Sequence, residues 1–321
     1  MSAEVHRPIQ VFIDGEAGPT GLQIRERLAG RGDIRLIRLD DARRKDHAAR
    51  AEALNDADVA ILCLPDEAAR SAVSLIRNDR TKVIDASTAH RTAPGWVYGF
   101  PELGPGQRQA VRDASRVSNP GCYPTGFLAL VRPLIAAGLV SADWPATVNA
   151  VSGYTGGGKA MIAEFEDESS PNFTSAAFRI YATSLGHKHI AEMQVHAGLA
   201  HAPLFAPAVG RFAQGMIVEV PVHLNALSAR PSLVAVREAL QAAYEGERFV
   251  EVADTTELEV TKTLDPESLN GTNRLKLYAF GDAARGQARL VAVLDNLGKG
   301  ASGAAVQNLN IMFGLDEATG L

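Results

Sequence analysis

The chain has 321 residues, 46% hydrophobic and 21% charged, the balance of an ordinary globular protein long enough for two packed domains. Its formal net charge is −5, so no basic excess points to nucleic acid or to an anionic membrane surface. Its 2 cysteines are too few for a disulfide framework and fit a reducing, cytoplasmic compartment. Residues 1–7 carry no apolar run of the kind that opens a secretory signal, and no stretch of about 18 apolar residues is present to span a bilayer.

Residues 9–14 read as a buried strand that runs into Gly15-x-x-Gly18-x-x-Gly21 and then a helix ending near Ala29. Further strands are expected over 35–39, 59–64 and 83–85, with a helix over 66–77 after the stop at Pro65. Strands alternating with helices imply right-handed crossovers and a parallel sheet covered on both faces. Beyond Cys122 the pattern changes. An apolar helix-like run covers 127–137, and Met216, Val218, Val220, Val222 and Leu224 alternate with more polar positions, the period of a half-buried strand. Strands over 274–280 and 287–294 flank a turn at 281–286, and 233–244 reads as a helix. This half is expected to be a mixed or antiparallel sheet with helices on one face. A glycine-rich stretch, residues 296–300, leads to a last helix near 302–313.

The glycine-spaced turn after the first strand suits a dinucleotide: the backbone turns tightly, approaches a pyrophosphate and presents a helix N-terminus to its charge. Two readings of the nicotinamide cofactor stay open. Asp40 and Asp41 close the second strand, where a carboxylate binds a ribose hydroxyl and favours NAD; Arg43, Arg44 and Lys45 follow at once and suit a 2′-phosphate. Cys122 sits in Ser-Asn-Pro-Gly-Cys-Tyr-Pro-Thr-Gly (118–126) at the start of a helix, where the macrodipole and unpaired N–H groups favour a thiolate and offer donors to an oxyanion. Cys63, among Ile61, Leu62 and Leu64 of an apolar strand, reads as structural and inert. His187 and His189, in Gly-His-Lys-His-Ile-Ala-Glu (186–192), offer an acid/base; extended backbone would point them oppositely, leaving one direct partner for the cysteine. Arg91, in the loop after the fourth strand, has the planar fork that clamps a carboxylate or phosphate. No Cys/His ligand set has the spacing of a metal site.

These stretches together, with Val-Ser-Gly-Tyr-Thr-Gly-Gly-Gly-Lys (151–159) and the run from Asp295 to Asn308, resemble the N-acetyl-γ-glutamyl-phosphate reductase family in its shorter form, within the superfamily that includes aspartate-semialdehyde dehydrogenase. The resemblance covers nearly the whole chain. It implies an α/β fold: a Rossmann-like cofactor domain (1–121 and 298–321, the last helix returning to it) and an α+β catalytic and dimerisation domain (122–297). It implies NADPH-dependent reduction of an acyl phosphate to an aldehyde through a Cys122 thioester, in arginine biosynthesis, by a metal-free homo-oligomer, dimer or tetramer. By the same resemblance His187 is the acid/base, with His189 second, and Glu192 and Arg91 orient histidine and substrate. Gly15, Gly18, Thr20 and Gly21 form the cofactor phosphate loop. Pro65, Ser87, Asn296 and Gly298 surround the cofactor and its nicotinamide. Ser152, Gly153 and Lys159 lie near the substrate and phosphate. Ala191 stands where the family usually has proline. The alternatives are a reductase of aspartyl or aminoadipyl phosphate, and a nicotinamide-binding sensor without catalysis.

Overall fold

The computed structural model describes residues 7–321; the N-terminal segment read above for a secretory signal lies almost wholly outside them. Two compact units emerge: residues 7–99, 108–119 and 302–321 in one, and 100–107 with 120–301 in the other.

The first unit is built on β1 (Ile9–Asp14), α1 (Pro19–Leu28), β2 (Ile34–Ile37), α2 (His47–Asp56), β3 (Val59–Leu62), α3 (Asp66–Leu75), β4 (Lys82–Asp85), β5 (Val97–Tyr98), α4 (Gln107–Asp113) and β6 (Arg116–Ser118). Its six strands run in the order β2-β1-β3-β4-β6-β5, and every pair is parallel. Alternation along β1 decides what covers each face. Val11 and Ile13 join Ile24 and Leu28 of α1, and Val306 and Leu309 of the C-terminal helix (Gly303–Met312). Phe12 points the other way, to Leu54 of α2 and Ala69 and Ala72 of α3. Both faces are therefore dry, which is why the strands read as near-continuous apolar runs. Strand order reverses at β1, so the glycine turn after it sits at the sheet's topological switch point, where open α/β sheets bind ligands.

The second unit contains α5 (Cys122–Ala136), β7 (Thr147–Gly153), α6 (Gly158–Glu166), β8 (Phe178–Ile180), α7 (Ile190–Ala197), β9 (Leu204–Gly210), β10 (Met216–His223), α8 (Leu233–Tyr244), β11 (Val250–Val252), α9 (Thr255–Val260), β12 (Leu275–Asp282) and β13 (Gln287–Leu294). Its mixed sheet runs β11-β12-β13-β10-β7-β9-β8, with β11/β12 and β7/β9 parallel and the other pairs antiparallel. Met216, Val218, Val220 and Val222 are buried, as their spacing requires. α5 lies so close to this sheet that a Cβ on Gly126 would stand 2.8 Å from the Val218 side chain. The expectation of helices on one face needs correction. α5 and α8 share a face, but Ile217, Tyr278, Val291 and Val293 make the opposite face apolar too, and Leu258 of α9 packs there with Leu264 and Leu269.

Unit limits also differ from the division at 121/122 and 297/298. Residues 100–107, 120–121 and 298–301 belong with the second unit, and a buried ion pair described below joins the first of these segments to the last. Among the described residues, no helix is long and apolar enough to cross a membrane.

Candidate active site

α5 starts at Cys122 because Gly121, in extended backbone (φ −76°, ψ 152°), caps it. No side chain caps the helix from within. Instead a carboxylate oxygen of Glu192, buried in the first turn of α7, accepts from the Gly121 N–H at 2.8 Å. Glu192 thus holds the turn that carries Cys122, a contact the sequence did not reveal. Pro124, in the first turn, has no N–H, so the early donors of α5 are fewer than an unbroken helix start provides.

Around that turn stands a cluster of rings. The Tyr123 ring meets His187 edge-on at 6.0 Å and lies 5.8 Å from His189. His187 and His189 are 4.7 Å apart. They do not point oppositely, because His189 adopts helical backbone (φ −84°, ψ −10°) as the cap of α7 and the pair forms a turn. The His189 N–H donates to Nδ1 of His187 at 3.1 Å, so in its neutral form His187 carries its proton on Nε2. His187 is half-buried and His189 buried, which leaves His187 the better placed to exchange a proton with solvent. The Tyr181 hydroxyl donates to that of Tyr123 at 3.0 Å, and Tyr123 donates to the Ala208 carbonyl at 3.3 Å. Burial pushes the Tyr181 phenol up to about 12 and Tyr123 well above its ordinary range; the charge of Cys122 adds to both. Both stay protonated O–H donors at neutral pH. This tyrosine pair escaped the sequence reading, since its members lie 58 residues apart.

Ser152, at the end of β7, is buried; its hydroxyl donates to the Gly153 carbonyl at 3.0 Å and also meets Tyr123. The Gly153 N–H donates to the Gly215 carbonyl at 2.9 Å. Lys159 in α6 is exposed. Asn296 is a brace of this unit: its Oδ1 accepts from the Gly215 N–H at 2.7 Å and its Nδ2 reaches Thr155 Oγ1 at 3.2 Å. Gly298 opens a π-helical turn, Gly298–Ser302. Among the described residues, no group of three or more His, Cys, Asp or Glu side chains is placed to hold a metal ion.

In the first unit, Gly15 takes φ +88°, and a Cβ there would stand 2.3 Å from the Cys63 carbonyl oxygen. A Cβ on Gly21 would come within 2.6 Å of Glu16 Cα. Both glycines are demanded by the protein's own packing. Gly18 is different: its Cβ would come no nearer than 3.7 Å to the chain, so packing does not demand a glycine there. A cavity of about 570 Å³ is lined by Gly15, Glu16, Arg25, Arg44, Lys45 and Arg50 among others; Gly18, Thr20 and Gly21 are not among its lining residues. Thr20 is the second residue of α1, at its N-terminus. The lining includes Arg44 of the two arginines expected at the cofactor, and not Arg43. Arg43 turns away to Glu52 (3.1 Å) and lies off the cavity, while Arg25 and Arg50 join it. Asp14 holds Arg50 at 2.8 Å. Asp40 does not line the cavity; it accepts from the Arg43 N–H at 2.8 Å, capping its own turn, whereas Asp41 lines it beside Arg44 at 3.3 Å.

The loop after β4 is organised by Asp85, which is fully buried and accepts from Ser87 Oγ at 2.7 Å while contacting His90 Nδ1 at 2.6 Å. His90 stacks on Trp96 at 4.1 Å. Pro65 caps α3. Arg91, expected to clamp the substrate, is buried; its Nε donates to the Asn119 carbonyl at 2.9 Å and an Nη to that of Ala86 at 3.1 Å. These bonds tie this loop to the backbone three residues before Cys122 in the sequence.

Residues 13–112 match the family model "Semialdehyde dehydrogenase, NAD binding domain", and residues 122–296 match "Semialdehyde dehydrogenase, dimerisation domain". A Nostoc protein named N-acetyl-gamma-glutamyl-phosphate reductase 2 is 55% identical, the match covering 97% of this chain and 99% of the relative. A Brucella anthropi N-acetyl-gamma-glutamyl-phosphate reductase is 54% identical over 95% of this chain and 98% of its own. The chain belongs to the N-acetyl-γ-glutamyl-phosphate reductase family. Aspartate semialdehyde dehydrogenase II from Vibrio cholerae shares the fold at a TM-score of 0.70 and 16% identity, covering 96% of this chain and 99% of that one. The Candida albicans aspartate semialdehyde dehydrogenase solved with NADP does so at 0.62 and 12%, covering 95% and 98%.

Proposed function

We propose that this reductase converts N-acetyl-γ-glutamyl phosphate to N-acetylglutamate semialdehyde with NADPH, in arginine biosynthesis, through a thioester on Cys122. The observation that carries the reading is the Cys122 turn: a cysteine at the first position of α5, its capping residue gripped by Glu192, with His187 and His189 packed around the neighbouring Tyr123. The thiolate attacks the γ-acyl carbon, and phosphate departs with the electrons of the broken C–O bond. A free carboxylate is a poor hydride acceptor, and the thioester removes that difficulty. NADPH, when bound, supplies the hydride that reduces the thioester carbon. Hydride addition leaves the hemithioacetal as its oxyanion; His187 in its protonated form gives that oxygen a proton and takes the same proton back as the C–S bond breaks, releasing the aldehyde and returning the thiolate. Donors at the start of α5 meet the oxyanion, and Glu192 keeps that helix start in place.

Gly18, with room where a Cβ would be, fits the approach of a nucleotide pyrophosphate, and the cations of the cavity fit a further phosphate. Asp41 lines the cavity too, but Arg25, Arg44, Lys45 and Arg50 outnumber the Asp14, Glu16 and Asp41 carboxylates there, which favours the phosphorylated cofactor over NAD. The match to a dimerisation domain supports a homo-oligomer, dimer or tetramer, and 2 free cysteines suit a cytoplasmic setting.

The test runs in reverse: kcat/KM with NADP and phosphate for N-acetylglutamate semialdehyde against aspartate semialdehyde. A site for the acetamide, burying no partner for an ammonium, should prefer the acetylated compound by roughly 10³-fold. Preference for aspartate semialdehyde overturns the substrate and leaves the Cys122 chemistry standing.

A further inference from the structure

Lys299 is 1% exposed, an unusual place for a lysine. Its Nζ lies 2.8 and 2.9 Å from the two carboxylate oxygens of Glu102, itself buried, and 5.5 Å from the ring centres of both Phe100 and Phe249. Lys299 is the second residue of the π-helical turn Gly298–Ser302, a rare geometry that recurs at functional sites. The next residue, Gly300, touches the nucleophile's side chain. A Cβ placed on it would stand 2.7 Å from Cys122 Cβ and 3.1 Å from the Asp295 carbonyl oxygen, which already accepts from the Gly300 N–H at 2.9 Å. The Asp295 carboxylate, fully buried, accepts from the N–H groups of Leu297 and Gly271, each at 2.8 Å, and from Gln214. The turn is thus pinned at its start by Asp295 and one residue before Gly300 by the ion pair.

A dry ion pair is weak evidence for stability, because apolar residues of similar volume fill such space without desolvating two charges. What it adds is direction. An ammonium held between a two-oxygen carboxylate and two ring faces fixes the path of its own main chain, and Gly300 is the adjacent residue. The two charges also balance, so Lys299 does not act as an electrostatic activator of the thiolate.

We infer that Lys299 and Glu102 are positioning residues for Cys122: the pair sets how closely Gly300 backs the cysteine's Cβ, and so the direction in which Sγ leaves the helix start. The inference rests on the reading of Cys122 as nucleophile and deepens it.

Two variants test it. Lys299→Met with Glu102→Leu removes both charges and keeps the volume; Gly300→Ala leaves the pair intact and alters only the backing contact. The readouts are kcat, KM for NADPH, thermal unfolding, and the pH dependence of iodoacetamide labelling at Cys122, resolved from Cys63 by peptide mapping. The double variant is expected to fold, to bind NADPH as the wild type does, to lose on the order of tenfold to a hundredfold in kcat, and to shift the labelling profile. Gly300→Ala should do the same with the pair in place. A structural role alone would lower the unfolding temperature and leave both kcat and the labelling profile of the folded protein unchanged, and that result overturns the inference. If the double variant does not fold, Glu102→Gln, which removes one charge and keeps the volume and an acceptor for Lys299, is read in its place, and unchanged kcat and labelling in that variant overturn the inference. Cys122→Ala separates the two levels: turnover by it sinks the thioester reading, whereas a dead Cys122→Ala beside fully active pair variants sinks only the positioning role.

Discussion

The two cysteines stand at comparable points in the chain, each between a strand of the parallel sheet and a helix, and they are chemically opposite. Cys63 comes directly after β3, three residues before α3 begins at Asp66. Burial pushes its thiol up to about 12, with the Asp85 and Asp14 carboxylates adding to the rise. What Cys63 contributes to the fold comes from its backbone. Its N–H donates to the Asp14 carbonyl at 2.8 Å, and its carbonyl forms the floor that forbids a side chain on Gly15. Cys122 is itself the first helical residue, with its cap held from another helix and its charge felt by the Tyr123 and Tyr181 phenols. Position relative to the helix start sets the two thiols apart, and a thiol at a helix N-terminus is the one favoured as thiolate.

The largest expected effect comes from the second member of this comparison. Cys122→Ala should lower kcat by about 10⁴-fold or more and leave the dissociation constant for NADPH, read by fluorescence titration, within about twofold. Next is the histidine pair. His187→Asn should reduce kcat more than it raises KM, by roughly 10²- to 10⁴-fold, because the lost group acts in the transition state. If His189→Asn is the more damaging change, the proton passes through the buried ring instead. Glu192→Gln keeps an acceptor for Gly121 and should cost little, whereas Glu192→Ala should lower kcat by about tenfold to a hundredfold with a smaller change in KM.

In the first unit the effects move from chemistry to binding. Gly18→Ala should fold normally, given the 3.7 Å of space around its Cβ, and weaken NADPH binding by about tenfold. Gly15→Ala, with 2.3 Å to the Cys63 oxygen, should instead fail to fold or be severely destabilised. Replacing Arg44 and Lys45 by alanine should raise KM for NADPH by about tenfold and leave NADH little changed. The same replacement at Arg43, off the cavity and paired with Glu52, should do neither.

These contrasts track what was legible in the sequence. Strand–helix alternation, the glycine turn and the long strands of the second sheet could be read because each is local: apolar runs stopped by Gly or Pro, a fixed glycine spacing, or a two-residue period over eight residues. β5 and β6, of two and three residues, are too short to show a period. α2 buries Ala49, Ala53 and Leu54, two of them alanines too small to mark a face in composition. Within the site, Cys122 and the histidine pair stood out by residue type in a glycine-rich context. The partners that place them did not. Glu192 joins Gly121 across 71 residues, and Lys299 joins Glu102 across 197. A lysine between two glycines reads as solvated until its carboxylate is seen. Arg91 shows the converse: its fork was read for a ligand, and the two backbone carbonyls it also reaches, at Asn119 and Ala86, carry no signal in the sequence.

The smallest effect should fall on Cys63, and its sign depends on pH. Cys63→Ala should leave kcat unchanged and, near neutral pH, reduce stability by about 1 kcal/mol through lost packing. The folded thiol stays neutral up to about 12, whereas in the unfolded chain it ionises in the ordinary thiol range. As pH rises through that range the unfolded state of the wild type is favoured by losing a proton that the folded state keeps, so its stability falls relative to the alanine variant. Urea unfolding at about pH 7 and about pH 9.5 should therefore show the gap between wild type and Cys63→Ala shrinking or reversing at the higher pH. A gap that widens with pH would mean that Cys63 ionises more readily in the folded protein than in the unfolded chain, and the contrast between the two cysteines would collapse.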